Sequence, residues 1–381
     1  MKYNNLILKD RSNCVLSDIV VLQRGYDLTK KQMNGGAYPV AGSNGIIGYH
    51  DAYTTKGIGV TIGRSGNIGN AFLYKKNFWA HNTTLFVKDF KSNHPLFIYY
   101  LLKSINFKQF NSGSAVPSLN RNHINNIPII YHDVPTQKKI ASILSALDDK
   151  IELNNKINKN LEEMAQAIFK SWFVDFEPWG GEMPDDWEFG TLGDICNCKL
   201  GGTPSRNKKE FWGGEISWIN SGKVNEFRII EDSEKITELG LQKSSTKLLP
   251  KKTIVIAITG ATLGQISLLE IQSCANQSVV GIIPNKNIPY EYIFPYLKTN
   301  INQLTSHQTG GAQQHINKQN IENFNILVPE KEILHKYQKT VSSIYNKITI
   351  NCFENKNLTN LRDTLLPKLM SGELDVSNLD I

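Results

Sequence analysis

Few residues of this chain stand at the spacings that catalysis requires. Asn287-Ile288-Pro289-Tyr290 comes nearest to the Asn/Asp-Pro-Pro-Tyr/Phe loop that holds the target amine of a DNA amino-methyltransferase, but it lacks the first proline. No glycine-rich strand–turn–helix for S-adenosylmethionine precedes that string. A phosphate-binding G-x-x-x-x-G-K-[ST] loop is absent. Glu354-Asn355-Lys356 has the letters of a nuclease site, but it lies on a heptad helix, where flanking charge is expected.

The cysteines and histidines also do not form the pattern of a metal site or a catalytic site. Cys196 and Cys198 form a C-x-C with no second pair of Cys or His nearby, whereas a zinc site normally needs four ligands at set spacings. The eight histidines are scattered and suggest no Ser/His/Asp arrangement. The sequence therefore predicts a chain with no catalytic residues, no metal site and no cofactor of its own.

Binding signals are stronger, because two groups of turn-rich loops are dense in side chains that hydrogen-bond to base edges and phosphates. Arg pairs with guanine and Asn or Gln with adenine through two hydrogen bonds, whereas Lys and Ser/Thr more often touch phosphate. The candidates in the first group are Ser43, Asn44, Arg64, Ser65, Asn67, Asn82, Asn120, Arg121 and His123. Those in the second are Asn220, Ser221, Lys223, Thr259, Thr262, Gln265, Asn276, Gln277, Gln313, Gln314, His315 and Lys318. The alternative is that Asn, Ser and Gly simply fill turns.

Short β-branched runs between turns must position these loops. Ile58–Gly63 and Thr84–Val87 in the first half, and Thr253–Ile258 and Ser278–Ile283 in the second, have the length and composition of strands. Apolar spacing predicts helices over 95–107 and 290–304. Each half therefore reads as an α+β module with a curved sheet.

The modules are copies of one another. Leu16-Ser17-Asp18-Ile19 returns as Leu192-Gly193-Asp194-Ile195, and Asn82-Thr83-Thr84 is echoed by Asn276-Gln277-Ser278. The clearest match sets Gly113-Ser114-Ala115 through Leu119-Asn120 against Gly310-Gly311-Ala312 through Ile316-Asn317. In each copy a Val-Pro then opens a long helix, and Pro suits a first helical turn.

The two long helices carry apolar stripes at coiled-coil spacing, and asparagine interrupts both stripes at the same two places. Asn154 and Asn158 in the first helix correspond to Asn351 and Asn355 in the second. Polar groups at heptad core positions cost stability but fix register and partner. Solvent-facing asparagines are the alternative. The predicted division is a module over 1–134, a helix over 135–175, a module over 176–327 with a linker at 177–186, and a helix with tail over 328–381.

Composition supports this organisation. The 381 residues allow two domains of ordinary size, and the 40% hydrophobic content is enough for packed cores. A net charge of +7 and a pI of about 8.9 are mildly basic. Five scattered cysteines fit a reducing cytosol. No apolar run reaches the ~18 residues of a membrane span, and the N-terminus lacks a signal-peptide core.

With these residues in view, the chain resembles the specificity subunit of a type I restriction-modification enzyme. The matching features are the duplicated module ending in Gly-x-Ala-x-x-x-Leu/Ile-Asn, then Val-Pro and a heptad helix. Further matches are Pro135-Thr136-Gln137-Lys138-Lys139-Ile140, Phe169-Lys170-Ser171-Trp172-Phe173, and Leu365-Leu366-Pro367-Lys368-Leu369-Met370-Ser371-Gly372-Glu373-Leu374. One departure is that the second helix begins Pro329-Glu330-Lys331-Glu332 rather than with the usual Pro-x-x-x-Gln text, although Gln338 is kept.

The resemblance implies that each module is a target-recognition domain that reads one half of a bipartite double-stranded DNA site. It implies that the helices pair antiparallel as a coiled-coil spacer, giving a pseudo-two-fold chain. Two modification subunits would dock near the helices and methylate adenine with S-adenosylmethionine, and restriction subunits would cleave distant DNA with ATP and Mg²⁺. The chain itself would supply sequence choice and assembly in the cytoplasm.

Two other interpretations stay open at this point. The first is the specificity subunit of a fused restriction-methylation enzyme of the type IIB/IIG kind, which neighbouring reading frames would distinguish. The second is a carbohydrate- or protein-binding adaptor with tandem modules, which predicts no salt-dependent DNA affinity.

Overall fold

The computed structural model describes residues 14–113, 115–306 and 315–379. Helices and strands are mixed throughout, so the predicted α+β class is confirmed. Contacts divide the chain into two compact units, one made of residues 1–152 with 357–381 and the other of residues 153–356. No described helix is both long enough and apolar enough to cross a membrane.

In the described part of the first unit, nine strands and three short helices precede the first long helix. Its strands are β1 (Cys14–Val15), β2 (Val21–Arg24), β3 (Tyr38–Gly42), β4 (Gly45–His50), β5 (Gly59–Gly63), β6 (Ala71–Tyr74), β7 (Trp79–Ala80), β8 (Thr84–Asp89) and β9 (Pro128–Ile129). Its short helices are α1 (Leu16–Ile19), α2 (Pro95–Ser104) and α3 (Arg121–Ile124), and α4 (Val134–Phe173) is the first long helix.

The second unit repeats this order of elements with one addition, a helix between its fourth and fifth strands. Its strands are β10 (Glu188–Thr191), β11 (Cys196–Leu200), β12 (Trp212–Ile219), β13 (Glu234–Ile236), β14 (Ile254–Ala257), β15 (Ile266–Leu268), β16 (Cys274–Ala275), β17 (Val279–Pro284) and β18 (Asn325–Val328). Its helices are α5 (Leu192–Ile195), α6 (Glu238–Gln242), α7 (Tyr290–Thr305), α8 (Lys318–Glu322) and the second long helix, α9 (Lys331–Met370).

Strand order shows that the duplication is structural. The first module has a four-stranded sheet β2-β8-β5-β6 and a three-stranded sheet β4-β3-β7, and the second has β11-β17-β14-β15 and β13-β12-β16. In each three-stranded sheet the central strand pairs in parallel with the last strand in the order given: β3 with β7, and β12 with β16. The predicted strands at 58–63 and 253–258 are β5 and β14, which are buried at every position, as expected for apolar runs covered on both faces.

The ends of each module pair with each other. Val15 in β1 pairs with Pro128 in β9, and Glu188 in β10 pairs with Val328 in β18. Because Val328 is still in a strand, α9 begins at Lys331, three residues later than the predicted start at 328. The predicted linker contains left-handed backbone at Gly180 (φ +80°) and Gly181 (φ +92°), which separates α4 from β10.

The compact units differ from the predicted division because each long helix shares its length between two cores. Ile140 and Leu144 of α4 join Leu366 and Leu369 of α9 in the core of the first unit. Phe169 and Phe173 of α4, with Tyr337 and Val341 of α9, belong to the core of the second. The helices are therefore parts of both units rather than separate domains.

Candidate nucleic-acid interface

In the first module the predicted loops come together at one end of the four-stranded sheet. The backbone N–H groups of Arg64 and Ser65 donate to Thr83 O at 2.8 and 3.2 Å, and Leu119 N–H donates to Arg64 O at 2.8 Å. The loop after β5, the turn before β8 and the segment before α3 are thus bonded side by side. Arg64, Ser65, Asn82 and Asn120, which are distant in sequence, therefore lie on one surface.

The β3–β4 turn joins this surface through Gly63. A Cβ added at Gly63 would lie 2.0 Å from Asn67 O and 3.3 Å from Ser43 O, so the close approach of these loops depends on glycine. Asn44 and Asn67 are exposed and Ser43 is half-buried.

A chain of polar contacts links side chains across the surface. The Arg64 guanidinium donates from Nη1 to Asn82 O at 3.2 Å. The Asn82 amide donates to a carboxylate oxygen of Asp27, and that oxygen also pairs with Nη2 of Arg24 at 3.0 Å. Sequence reasoning missed Arg24 and Asp27, because an arginine at the end of a strand carries no local signal of a site.

The short helix α3 supplies the remaining candidates of this module. Asn120 caps it, its Oδ1 accepting from Asn122 N–H at 3.0 Å. Arg121 donates from Nη1 to Leu22 O at 3.3 Å, and His123 is exposed. A cavity of about 630 Å³ is lined by Arg24, Arg64 and Arg121 together with Gln23, Ser118 and Asn120.

The second module gathers its loops with the same backbone bonds. Ile258 N–H donates to Ser278 O at 2.9 Å, and Ile316 N–H donates to Ile258 O at 3.1 Å. Asn276 N–H donates to Ile219 O at 3.0 Å, which brings in the turn at Asn220. Thr259 forms a bridge with His315. Gln313 and Gln314 lie outside the described residues.

Several second-module candidates already have partners. Asn220 Oδ1 accepts from Gly222 and Lys223 N–H, and Ser221 opens the 3₁₀ turn that Asn220 caps. The Lys223 ammonium lies 2.8 Å from Glu226 and 3.0 Å from Glu231. Burial lowers the pKa of Lys223, but the two carboxylates outweigh burial and the net shift is upward. Its positive charge is thus locally offset, which weakens its case as a DNA contact.

The other candidates of this module differ in how their polar atoms are used. Asn276 Oδ1 accepts from Ser278 N–H at 3.1 Å, and Thr262 Oγ1 donates to Thr259 O at 3.3 Å. Gln277 accepts from the Thr203 hydroxyl, and Lys318 pairs with Glu322 at 2.6 Å. The remaining candidate, Gln265, has a buried Oε1 with no hydrogen-bond partner among the described residues.

Matching hydrogen bonds define which positions correspond between the modules. Arg64 and Ile258 make the same pair of backbone bonds, so they are equivalent. Gly25 N–H donates to Thr84 O as Gly201 N–H does to Val279 O, which makes Arg24 equivalent to Leu200. Counting along the chain from these pairs gives the remaining correspondences. Thr83 corresponds to Ser278, Asn82 to Gln277 and Arg121 to Lys318. The sequence match of Asn82 to Asn276 is therefore wrong by one residue.

The helix asparagines meet one another. Asn351 donates from Nδ2 to Asn158 Oδ1 at 2.8 Å, and Asn154 donates from Nδ2 to Asn355 Oδ1 at 2.9 Å. Asn154, Asn158 and Asn351 are at most 3% exposed. Since Asn158 pairs with the lower-numbered partner, the helices run in opposite directions where these residues meet.

Buried charges also connect helix and module within the second unit. Glu162 of α4 accepts from Arg228 at 2.6 Å and from Lys298 at 2.8 Å. Glu270 pairs with Lys252 at 2.6 Å and lies 3.9 Å from Arg228. The pattern of the sequence did not reveal this network, because its members are separated by tens of residues.

The string that loosely resembled a methyltransferase loop lines a different cavity of the second module, of about 480 Å³. Asn287 and Tyr290 share that lining with Lys252 and Lys286. Glu291 also lines this cavity, is 3% exposed and accepts a hydrogen bond from Gln338 at 3.4 Å. Burial raises the pKa of the Glu291 carboxyl.

The two cysteines of the C-x-C motif are buried thiols with raised pKa values. Cys196 and Cys198 are buried on β11, and burial raises the pKa of both thiols, that of Cys198 to about 12. In the residues that the structure describes, no three His, Cys, Asp or Glu side chains are grouped to hold a metal ion.

Comparisons with known proteins agree with this architecture. The family model described as the type I restriction modification DNA specificity domain matches residues 12–163 and again 184–360. The type I restriction enzyme HindI specificity subunit of Haemophilus influenzae is 29% identical over 356 residues, covering 74% of this chain and 77% of that protein. The MjaIX specificity subunit of Methanocaldococcus jannaschii is 30% identical over 301 residues, covering 74% of this chain and 70% of that protein.

A solved structure shows the same fold. The type I restriction-modification S subunit from M. genitalium superposes with a TM-score of 0.63 at 21% identity, covering 97% of this chain and 98% of that one. The fold and the duplicated match define a DNA specificity protein. This chain belongs to the family of type I restriction-modification specificity subunits.

Proposed function

We propose that this chain selects the DNA sequence on which a type I restriction-modification complex acts, with each module reading one half of a bipartite site. The observation that carries the proposal is that equivalent backbone bonds gather polar loops at the same place in both modules. Side chains that hydrogen-bond to base edges and phosphates occupy these loops, as specific recognition requires.

The long helices are proposed to set the spacer between the half-sites and to dock two modification subunits. Support comes from the 40-residue length of α4 and of α9 and from the opposed asparagine pairs. Heptad-spaced apolar residues with a polar layer are typical of coiled coils that need one register.

The chemistry is proposed to belong to partner subunits. Modification subunits would bind S-adenosylmethionine, and restriction subunits would use ATP and Mg²⁺, in the cytoplasm where the DNA lies. The chain alone should then show no methyltransferase, nuclease or ATPase activity. Transfer of labelled methyl groups to DNA by the chain alone would contradict this.

A module exchange tests the proposal. The paired strands at its base make 16–128 a natural unit, with Leu16 N–H donating to Ile127 O at 2.9 Å. Replacing 16–128 with the corresponding part of a relative should change one half of the methylated motif, as read by methylation sequencing of cells that carry the whole system.

The matched control exchanges the second module at its equivalent closure, where Leu192 N–H donates to Phe324 O at 2.9 Å. That exchange should change only the other half of the motif. A change of both halves, or of the spacer, in either hybrid would contradict independent reading.

A further inference from the structure

In the first module, three arginines line one open cavity of about 630 Å³. Arg24 comes from the end of β2, Arg64 from the loop after β5 and Arg121 from α3. Three separate elements therefore bring positive charge to the same place.

Each guanidinium is held by the protein through one nitrogen. Arg64 donates to Asn82 O, Arg121 donates to Leu22 O and Arg24 pairs with Asp27. A guanidinium has five N–H donors, and the other donors of these three side chains have no acceptor among the described residues. The groups are thus oriented, with hydrogen-bonding capacity remaining for a ligand.

The charge of the cavity indicates what that ligand is. None of the described residues that line it is acidic, and Asp27 offsets only one of the three arginines. Three positive charges that repel one another are compensated by an anion, whereas the edge of a neutral base would leave them unbalanced. The planar fork of arginine suits the two-oxygen geometry of phosphate.

The second module lacks this arrangement. At the equivalent positions stand Leu200, Ile258 and Lys318, and Lys318 is paired with Glu322 at 2.6 Å. Among the described residues, the three equivalent positions of the second module therefore carry one cation, and it is paired.

We propose that Arg24, Arg64 and Arg121 together hold one phosphate of the DNA backbone at the half-site of the first module, and that Asp27 positions Arg24 for that contact. The proposal deepens the proposed function and rests on it. This phosphate contact would let the first module bind DNA independently of base sequence, while the neighbouring loops contact the bases.

Salt-dependent binding by the assembled complex tests the proposal. Affinity is measured for a duplex with the recognised motif and for an unrelated duplex, using the parent, Arg24→Gln, Arg24→Lys and a control. The control is Lys88→Gln, which removes one positive charge at the opposite, exposed end of β8.

A phosphate contact predicts that Arg24→Gln weakens both duplexes by the same factor. It should also lower the slope of log affinity against log salt by up to about 1, since each neutralised phosphate contributes about 0.9. Arg24→Lys should recover most of the loss, because an ammonium still binds phosphate, and Lys88→Gln should match the parent. A loss confined to the recognised motif would overturn the phosphate assignment.

A scan with neutral methylphosphonate linkages locates the contact. At one linkage of the first half-site, the substitution should weaken the parent more than it weakens Arg24→Gln, because the variant has already lost one of the three contacts to that phosphate. Arg121→Gln, which removes a guanidinium from a different element, should show a similarly reduced effect at the same linkage. Unfolding midpoints equal to that of the parent confirm that the variants fold.

The outcomes separate the two proposals. If the parent complex binds DNA but no linkage shows this coupling, the phosphate site is wrong and the proposed function stands. If the parent shows no salt-dependent DNA binding, the proposed function itself fails.

Discussion

Asn158 of α4 and Asn351 of α9 form a hydrogen bond of 2.8 Å between their side-chain amides, and both residues are almost fully buried. The pair lies beside apolar neighbours, with Ile348 buried one turn before Asn351. A buried amide is costly unless it is paired, so this contact favours the single register in which the two asparagines meet.

Asn351→Leu should destabilise the protein by about 1–3 kcal/mol, because it leaves the Asn158 amide buried with a lost partner. The double variant Asn158→Leu/Asn351→Leu should recover most of that loss, since an apolar pair needs no hydrogen bond. Urea unfolding of the three proteins measures both effects. Equal stability of the single and double variants would show that the amides are not coupled.

The free energy of unfolding should decrease at acidic pH because Glu162 becomes protonated. Burial alone would raise the pKa of this carboxyl, but Arg228 and Lys298 outweigh it and hold the pKa below its usual value. A lowered folded-state pKa gives stability that is present above the unfolded value of about 4.3 and is lost as the pH falls through the folded value. Glu162→Gln should lose this acid dependence, as measured by urea unfolding from neutral to acidic pH.

Glu163→Gln is the matched control, because the neighbouring carboxylate is 62% exposed and pairs with Lys159 only at 3.8 Å. It should keep the acid profile of the parent. An unchanged profile in Glu162→Gln would mean that other carboxylates control the loss.

Glu291 should have the opposite effect on the pH dependence of stability. Burial raises the pKa of this carboxyl. Stability from a raised pKa is present below the unfolded value of about 4.3 and is lost as the pH rises through the folded value. Glu291→Gln should therefore be more stable than the parent at neutral pH, and the difference should shrink toward pH 4. Greater stability of the parent at neutral pH, by denaturant titration, would contradict this.

Lengthening both helices by one heptad should lengthen the spacer of the recognised motif. Asn158 meets Asn351 and Asn154 meets Asn355, and continuing this register sets the junction at 152/153 opposite the junction at 356/357. Seven residues inserted at each junction keep the contacts inside each compact unit. They add about 10 Å, or about three base pairs, from helix and DNA rises of about 1.5 and 3.4 Å.

Three base pairs also rotate the second half-site by roughly 100° at about 10.5 pairs per turn. Binding should therefore weaken even as the preferred spacer grows. Methylation sequencing of an active variant gives the result. An unchanged spacer would show that the helix pair does not set the distance.

Local signals predicted much of the fold. The fully buried strands β5 and β14 were visible as β-branched runs, and α7 lies within one residue of the predicted 290–304. The repeat was visible because two copies of one fold keep the same turns. The pairing of Lys223 with Glu226 and Glu231 was not predicted, since a charged side chain in a turn looks solvated in sequence.

The site was predicted as a set of loops but not as a cavity. Arg64 and Arg121 were recognised from their turns, whereas Arg24 lies beside them only because β2 pairs with β8. The sequence also does not show that Arg64 and Ile258 occupy equivalent positions, because their equivalence follows only from their backbone hydrogen bonds. Both the position of Arg24 and the equivalence of Arg64 with Ile258 depend on pairing between residues distant in sequence, which a short stretch of sequence does not show.

The two compact units are not completed in the order in which the chain is made. The second is one uninterrupted stretch, 153–356, whereas the first needs residues 357–381 from the far end of the chain. Leu366, Leu369, Met370 and Val376 fill the first core. During synthesis on the ribosome, the first module is therefore made well before the residues of α9 that complete its core. A chain cut short before Asn357 would retain a whole second unit and an unfinished first one.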